Sequence, residues 1–288
     1  MTEQYSRTEM LLGEEALARL AGKRIAVFGL GGVGGYVVEG LARSAAFELD
    51  LIDDDCVSES NLNRQIIALQ DTVGVPKTDA AQARVHAIAP ALKVHTHRMF
   101  FLPETADRID FSVYDYVVDA VDTVAAKLAI IEGAKKAGVP VISCMGCGNR
   151  LDPTKLRVSD ISKTEMDPLA KVIRRELRKR GIRGVTVVWS AEPPIRPLHA
   201  APAEPGQQAP AGPGQEPPAE SGQEPSAEEV PPADLVPPAE QVPPAEAGGE
   251  PLRGAQRGRK DVPGSMVFVP AAAGLTIASV IVRQLAAE

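Results

Sequence analysis

Two cations and three carboxylates stand at spacings that suit chemistry on a nucleotide phosphate. Arg64 and Lys77 lie 13 residues apart, on either side of a predicted turn. Asp53 ends one apolar segment, and Asp119 and Asp122 end another. Guanidinium and ammonium groups hold phosphate oxygens and neutralise charge on a leaving pyrophosphate, whereas carboxylates are ligands of Mg²⁺. Together these residue types indicate a nucleotidyl-transfer site, with Asp122 as the candidate metal ligand.

A glycine-rich segment, GLGGVGG at residues 29–35, follows the apolar run RIAVF. Glycines permit a tight turn and a close approach of backbone to phosphate, and the N-terminus of the next helix favours an anion. This pattern fits NAD, FAD and ATP equally. Asp53 follows at the distance where a carboxylate binds ribose hydroxyls. The turn and Asp53 alone leave a dehydrogenase open, and the two cations with Asp122 favour a triphosphate.

Strand-like and helix-like segments alternate along most of the chain, which predicts an α/β fold. We expect a Rossmann-like, mostly parallel sheet with helices on both faces. Carboxylates at the carboxyl ends of parallel strands then face one crevice. The predicted strands are 24–30, 48–55, 93–100, 114–122 and 139–146, and the predicted helices are 33–45, 78–90 and 123–138.

The composition changes abruptly after residue 196. Residues 200–250 hold 13 of the 25 prolines and ten Asp or Glu, without a single Lys or Arg. A proline-dense, acidic segment cannot close a packed core. We therefore predict a domain at 1–196, a disordered acidic insert at 197–258, and a strand and helix at 259–288 that complete the same domain. Without the ten acids of residues 200–250, the formal charge changes from −7 to +3, which permits a polyanionic partner.

The termini and the cysteines bear on the compartment. The N-terminal residues show no secretory signal, and the apolar run near the C-terminus, AAAGLTIASVIV, is too short to span a bilayer. These features predict a cytoplasmic protein without a membrane contact. A structural zinc site usually needs two Cys pairs, and this chain has one C-x-x-C pair, Cys144 and Cys147, besides Cys56. We expect no structural zinc and reduced, mostly buried thiols.

The glycine turn, LIDDDCVSESNLNRQ, GVPK and VDAVDT together resemble the adenylation domain of ubiquitin-activating-type enzymes, the ThiF-like superfamily, over residues 7–145. The resemblance implies activation of a carboxylate as an acyl-adenylate by ATP and Mg²⁺. It also implies a homodimer, in which Arg7 reaches the site of the partner subunit. The implied ATP-binding residues are Gly29, Gly31, Gly32, Asp53, Ser60, Asn61, Arg64, Lys77, Asp122 and Thr123, with Asp122 on the metal and Arg7, Arg64 and Lys77 as catalytic residues.

Residues 148–182 resemble one branch of that superfamily, the bacterial tRNA threonylcarbamoyladenosine dehydratases. The resemblance implies adenylation of the threonylcarbamoyl carboxylate beside the anticodon, followed by ring closure. The nucleophile then belongs to the substrate, so no catalytic cysteine is required.

The same block predicts a basic helix. Asp167 and Pro168 form an N-cap and first-position proline, and Leu169, Val172, Ile173 and Leu177 make an apolar stripe. The cations left on the other face can neutralise tRNA phosphates. They are Lys171, Arg174, Arg175, Arg178 and Lys179.

Three other functions remain open at this point. One is an adenylyltransferase that activates the C-terminal glycine of a small sulfur-carrier protein. The second is an NAD-dependent oxidoreductase, and the third is a non-catalytic scaffold whose proline repeats recruit partners. The single C-x-x-C pair disfavours the first, and the set of phosphate and metal residues disfavours the other two.

Overall fold

A computed structural model describes residues 3–198 and 263–288, and its centre is a seven-stranded sheet. The strand order is β3-β2-β1-β4-β5-β7-β6, and all neighbours are parallel except β6 and β7. The predicted α/β class with a mostly parallel sheet is confirmed. The strands are β1 Arg24–Phe28, β2 Glu48–Ile52, β3 Lys93–His97, β4 Tyr116–Asp119, β5 Val141–Cys144, β6 Leu156–Asp160 and β7 Thr186–Ser190. β6 and β7 extend the five predicted strands.

Helices cover both faces of the sheet and bury two separate apolar layers. Successive β1 residues alternate between these layers, with Ile25 and Val27 in one and Ala26 and Phe28 in the other. This period of two is the geometry of an extended strand. The helices are α1 Ser6–Leu12, α2 Glu14–Leu20, α3 Gly34–Ser44, α4 Lys77–Ile88, α5 Val124–Lys136, α6 Pro168–Lys179 and α7 Phe268–Ala286. α2, α3, α4 and α7 contribute to the first layer, and α5 and α6 to the second.

The strand order reverses its direction of growth at β1. The chain adds β2 and β3 on one side of β1, then crosses to the other side for β4 and β5. Such a switch point leaves a crevice at the carboxyl ends of β1 and β4, where ligands of open α/β sheets bind. The topology therefore positions the glycine turn after β1 beside the segment after β4.

The C-terminal segment forms a helix without the strand that the sequence predicted. Residues 263–267 belong to no strand, and Val267 already has helical backbone angles, φ −61° and ψ −34°. The apolar residues that suggest a strand are used instead for close helix packing, because tertiary contacts override local propensity. A Cβ atom on Gly40 of α3 would lie 2.7 Å from the Ala278 Cβ, so the two helices meet backbone to backbone.

α7 is longer than the apolar run suggested. It has 19 residues with a mean hydropathy of 1.5, which is sufficient by length and composition to cross a membrane. Half of its most apolar window is buried within the domain, including Ile277 and Ile281. No other helix in the described part of the chain meets the same criteria.

The predicted insert at 197–258 lies, beyond residue 198, outside the described residues. The described segments on either side of it meet at one residue. The Ile195 amide donates to the Asn149 carbonyl oxygen at 2.7 Å, and the Gly264 amide donates to the Asn149 Oδ1, also at 2.7 Å. Residues 195 and 264, on the two sides of this segment, thus lie next to the same residue.

Candidate functional site

The glycine turn between β1 and α3 packs closely against the segment that follows β4. Gly29 has a φ of +86°, and a Cβ atom on it would lie 2.8 Å from the Ala120 carbonyl oxygen. Only glycine fits that conformation and that approach. Val33, which precedes α3, cannot accept a hydrogen bond through its side chain. The Gly35 and Tyr36 amides donate to backbone oxygens of the turn, so the N-terminus of α3 offers an anion chiefly its positive dipole end without a side-chain cap.

Asp53 supports the glycine turn from the end of β2. Its Oδ2 accepts the Leu30 amide at 2.6 Å, and its Oδ1 accepts the Asp55 amide at 2.9 Å. Burial raises the pKa of Asp53, although Lys77 and the two amides act in the opposite direction. Each carboxylate oxygen has a second lone pair, so the predicted role at the ribose is compatible with this arrangement.

Lys77 begins α4 and is buried beside the acids that follow β2. Its Nζ lies 2.7 Å from the Asp55 Oδ2 and 3.9 Å from the Asp53 Oδ1. The Asp55 carboxylate is mostly exposed, whereas Lys77 is only 6% exposed. Within the described residues Lys77 donates one hydrogen bond, to Asp55, so its other ammonium protons are suited to phosphate oxygens.

Arg64 is a partly buried cation without an acidic partner in residues 3–198 and 263–288. Its Nη1 donates to the Ser60 carbonyl oxygen at 2.6 Å and to the Asn63 Oδ1 at 3.0 Å. The Arg64 Cγ lies 3.6 Å from where a Cβ of Gly32 would be. Burial lowers the pKa of Arg64. A partly desolvated cation next to the turn is suited to an anionic ligand.

Gln65 was not identified from the sequence, although it lies in the same motif. The side chain is buried, and its Oε1 has no hydrogen-bond partner in the described structure. Its Nε2 lies 3.9 Å from the Cβ position of Gly31. A buried amide oxygen without a partner is rare and marks a place where a ligand or water completes the bonding. A polar residue directly before the apolar Ile66–Ala68 was the available sequence signal.

Ser60 and Asn61 have local partners within the turn that carries Arg64. The Asn61 Oδ1 accepts the Ser58 amide at 3.2 Å, and the Ser60 and Ser58 hydroxyls are 2.9 Å apart. Asn61 is buried and Ser60 is exposed. These contacts shape the turn. The contacts of Ser60 and Asn61 with ATP stay predictions.

Asp122 and Thr123 lie in the segment that joins β4 to α5. Asp122 is exposed and accepts a hydrogen bond from the Thr123 Oγ1 at 3.2 Å. It forms no ion pair in the part of the chain that the structure describes. Ala120, at the start of the segment, is the residue that contacts Gly29. The segment with Asp122 therefore borders the glycine turn across the switch point.

A buried ion pair anchors that segment to the sheet. The Lys127 Nζ donates to both oxygens of Asp119 at 3.1 and 3.0 Å, and to the Cys144 carbonyl oxygen at 2.6 Å. All three ammonium protons are thus used. Asp119 also accepts the Ser143 hydroxyl and the Val121 amide. The cluster joins β4, β5 and α5, and the Val121 amide connects it to the segment that carries Asp122.

The contacts bring the sequence-predicted residues together at one edge of the sheet. Leu30 of the turn contacts Asp53, Gly32 contacts Arg64, and Gly29 contacts the segment that carries Asp122. Arg7 does not lie among them. It is exposed on α1 and lines a surface depression with residues of α7, so a role at the site would require a second subunit.

α6 has the predicted cap and a partly different basic face. The Asp167 Oδ1 accepts the Ala170 amide at 3.0 Å. Ala170, which was absent from the predicted stripe, is buried with Ile173 and Leu177, while Leu169 and Val172 are only partly buried.

The expectation that Arg174 faces outward is wrong. Its Nη1 donates to the carbonyl oxygen of Thr164 at 2.7 Å and to the hydroxyl of the same residue, because the preceding loop packs against α6 and offers acceptors. Arg175 and Lys179 are exposed and share Glu176, whereas Lys171 and Arg178 are exposed and make no ion pair within the described ranges.

Comparisons with known proteins agree with this fold. A family model described as the ThiF family matches residues 5–187. The tRNA threonylcarbamoyladenosine dehydratase of Bacillus subtilis (strain 168) is 44% identical over 196 residues, which are 68% of this chain and 77% of that protein. The protein of the same name from Escherichia coli (strain K12) is 36% identical over 203 residues, covering 68% of this chain and 76% of the relative.

A solved structure is similar over nearly the whole chain. The crystal structure of the E. coli tRNA N6-threonylcarbamoyladenosine dehydratase in complex with ATP superimposes with a TM-score of 0.73 at 27% identity. The match covers 99% of this chain and 94% of that one. The range matched by the family model includes the glycine turn and the acids after β2, and the chain belongs to the ThiF family.

Proposed function

We propose that this protein is an ATP-dependent tRNA threonylcarbamoyladenosine dehydratase. The observation that carries the proposal is Arg64, a partly buried cation without an acidic partner in the described residues, beside the glycine turn. Gln65 adds an unpartnered buried oxygen at the same place. The Arg64 cation is suited to an anionic ligand and the Gln65 oxygen to a hydrogen-bond donor of that ligand, such as a hydroxyl, and the relatives that share the fold carry the dehydratase name.

The reaction has two steps in this proposal. The carboxylate of the threonylcarbamoyl group attacks the α-phosphorus of ATP, so that an acyl-adenylate forms and pyrophosphate leaves. An internal nucleophile of the same group then attacks the acyl carbon and gives up its proton, the ring closes and AMP leaves with the former carboxylate oxygen. Arg64 and Lys77 neutralise charge that develops on the phosphates. The net change in the nucleoside is the loss of one water.

Asp53 and the glycine turn are proposed to hold the ribose and phosphates, with Ser60, Asn61 and Thr123 as further contacts. Asp122 is proposed to bind Mg²⁺, because its carboxylate is exposed and forms no ion pair with a cation in the described part of the chain. When bound there, Mg²⁺ supplies positive charge to the phosphate oxygens. Asp122 must be kept in place for that role, and the Asp119–Lys127 cluster beneath it does so through the Val121 amide.

The tRNA is proposed to bind along α6. Lys171 and Arg178 offer cations that form no ion pair with any described residue, and Arg175 and Lys179 offer cations that share one acid. Arg174 is proposed to hold the loop at Thr164 in place instead of contacting tRNA. The net charge of +3 outside residues 200–250 supports a polyanionic partner.

A homodimer is proposed from the exposed side chains of α1. Met10 and Leu11 are 85% and 86% exposed, next to Arg7. Apolar side chains grouped at a surface support an interface. In the dimer, Arg7 of each subunit would contribute to the site of the other.

We further propose a cytoplasmic location and a single catalytic domain, 1–196 with 259–288, interrupted by a tolerated insert at 197–258. The domain division is supported by Ile195 and Gly264, which both bond to Asn149 from the two sides of the insert.

The test is ATP turnover by the purified full-length protein, with and without tRNA that carries threonylcarbamoyladenosine. The expected result is release of AMP and pyrophosphate only with that tRNA, together with loss of one water from the modified nucleoside by mass spectrometry. Turnover that needs instead a carrier protein ending in two glycines would support the sulfur-carrier alternative and contradict the proposal.

A further inference from the structure

Two cysteines outside the proposed chemistry face each other at the end of β5. The sulfur atoms of Cys144 and Cys147 are 3.5 Å apart. Cys144 ends the strand and is 3% exposed, whereas Cys147 lies in the following turn and is partly exposed. A disulfide has a sulfur–sulfur distance of about 2.05 Å, so a small change in the turn brings the two atoms into bonding distance.

Metal binding accounts poorly for this pair. Zinc sites take four ligands, usually Cys or His. Within residues 3–198 and 263–288, Cys144 and Cys147 belong to no group of three or more Cys, His, Asp or Glu ligand atoms at metal-binding spacing. Packing accounts for Cys144 in the core and for the part of Cys147 that lies against the same apolar layer, but it does not explain why the two sulfurs face each other at 3.5 Å.

We propose that Cys144 and Cys147 are a thiol-modification site, at which a low-molecular-weight disulfide closes a reversible intramolecular disulfide that lowers the activity of the enzyme. The partly exposed Cys147 reacts first: its thiolate attacks one sulfur of the reagent, and one reagent thiol leaves. The sulfur of Cys144 then attacks the Cys147 Sγ, and the second reagent thiol leaves. Two protein thiols are oxidised, one reagent disulfide is reduced, and the two protons end on the released thiols.

The two thiols differ in reactivity in the way that this order of attack requires. The hydrogen bond with Cys147 and burial raise the pKa of the Cys144 thiol well above its ordinary value. Cys144 is therefore a poor first nucleophile. Once Cys147 carries the mixed disulfide, the target sulfur is beside Cys144, and intramolecular attack is favoured by proximity.

The turn between the two sulfurs is tied to both buried ion pairs of this region. Lys127, the partner of Asp119, donates to the Cys144 carbonyl oxygen. The Gly146 amide donates to the Asp167 Oδ2 at 3.1 Å, and the Gly146 carbonyl oxygen accepts from Arg150, which is paired with Asp167. Drawing the sulfurs together displaces this turn. Its contacts lead to the segment of Asp122 on one side and to the start of α6 on the other.

A displacement of about 1 Å in such a site lowers the rate by as much as about 100-fold. We expect the disulfide to lower turnover by about 10-fold to 100-fold, and reduction by dithiothreitol to restore it. The effect on turnover rests on the proposed function, whereas formation of the bond does not.

The experiment uses full-length Cys56→Ala protein, which removes the exposed third thiol, and glutathione disulfide as the reagent. Free thiols and intact mass are measured before and after treatment, and tRNA-dependent AMP release is measured on the same samples. The expected result is a fall from two free thiols to none without an added glutathione mass, and a parallel fall in turnover.

The matched control is Cys56→Ala/Cys147→Ala, which is expected to keep its turnover under the same treatment. Two retained thiols, a stable glutathione adduct in place of the internal bond, or full turnover after the bond has formed would each overturn the proposal. If the reduced protein shows no tRNA-dependent turnover, the proposed function fails instead, and the thiol and mass measurements still decide whether the bond forms.

Discussion

Two neighbouring polar regions of this protein differ in whether their buried groups are satisfied by the chain itself. Beneath the segment that follows β4, Lys127 uses every ammonium proton on protein acceptors. At the glycine turn, Arg64 has no acidic partner and the Gln65 Oε1 has no partner in the described structure. Buried polar groups normally find partners. In the proposed function, this difference separates groups that position the site from groups that bind the ligand.

Asp50 and Asp53, three residues apart, show the same contrast in how far their charge is compensated by neighbouring groups. Asp50 in β2 is fully buried, and the hydrogen bonds from His97 and Arg24 outweigh the effect of burial and lower its pKa. Three residues later, burial raises the pKa of Asp53. Asp50 has the Arg24 guanidinium and the His97 imidazole as hydrogen-bond partners, whereas Asp53 has backbone amides and a more distant Lys77. A carboxylate whose charge is incompletely compensated suits a polar ligand.

Lys127→Met should have the largest effect, because it leaves the Asp119 carboxylate buried without its cation. Breaking a buried pair costs about 3–5 kcal/mol. We expect a loss of that size in the free energy of unfolding, measured by urea denaturation. The matched variant Asp119→Asn/Lys127→Met should regain most of it. A Lys127→Met protein of unchanged stability would show that the cluster does not hold the segment.

Arg64→Ala should lower turnover by about 100-fold or more, because the cation that stabilises the phosphates is lost. Its stability should change little, since Arg64 pairs with no acid in the described residues. The measurement is tRNA-dependent AMP release, alongside urea unfolding. Arg108→Ala, at an exposed position, is the control. If Arg64→Ala lost stability but kept normal turnover, Arg64 would be a positioning group and would not bind the ligand.

Asp122→Ala should also lower turnover by about 100-fold or more, through loss of the proposed Mg²⁺ ligand. The effect should be accompanied by a higher Mg²⁺ concentration for half-maximal turnover. Asp122→Glu, which keeps an oxygen ligand, is the matched variant. Normal Mg²⁺ dependence in Asp122→Ala would place the metal elsewhere.

Asp50→Asn should change how stability depends on pH. The folded-state pKa of Asp50 is lowered, so its contribution is present above the unfolded pKa of about 3.9 and is lost as the pH falls through the folded pKa. The wild-type protein should therefore lose stability more steeply than Asp50→Asn below about pH 4. The slopes are measured by urea unfolding at about five pH values between about 2.5 and about 7. Parallel curves for the two proteins would contradict the lowered pKa of Asp50.

Lys171→Ala/Arg178→Ala should have the smallest effect per residue. Each lost phosphate contact reduces the slope of log binding constant against log salt by about 0.7 to 0.9. We expect weaker tRNA binding and a salt slope reduced by about 1.4 to 1.8 for the two contacts. Lys136→Ala, an exposed cation at the end of α5, is the control. An unchanged slope would remove α6 from the proposed tRNA surface.

Much of the architecture was encoded locally and could be predicted. The glycines at 29–35, the acids that end β2 and β4, and the cap at Asp167 each depend on residues only a few positions apart. Repeating strand and helix patterns predicted the parallel sheet, and the sheet in turn predicted that these acids share an edge. α7 was partly mispredicted because its first residues are β-formers, while its packing against α3 decides their conformation.

The sequence by itself determined the elements, the turn and the kinds of side chain available at the sheet edge. Tertiary structure decided which of those side chains are satisfied: Arg174 bonds to Thr164, Gln65 is left with an unpartnered oxygen, and Cys144 and Cys147 face each other. Asn149 meets Gly264 from 115 residues away. Hydrogen-bond partners and burial depend on segments distant in sequence, which no local pattern specifies, and so the division between positioning and ligand-binding groups emerged only from the fold.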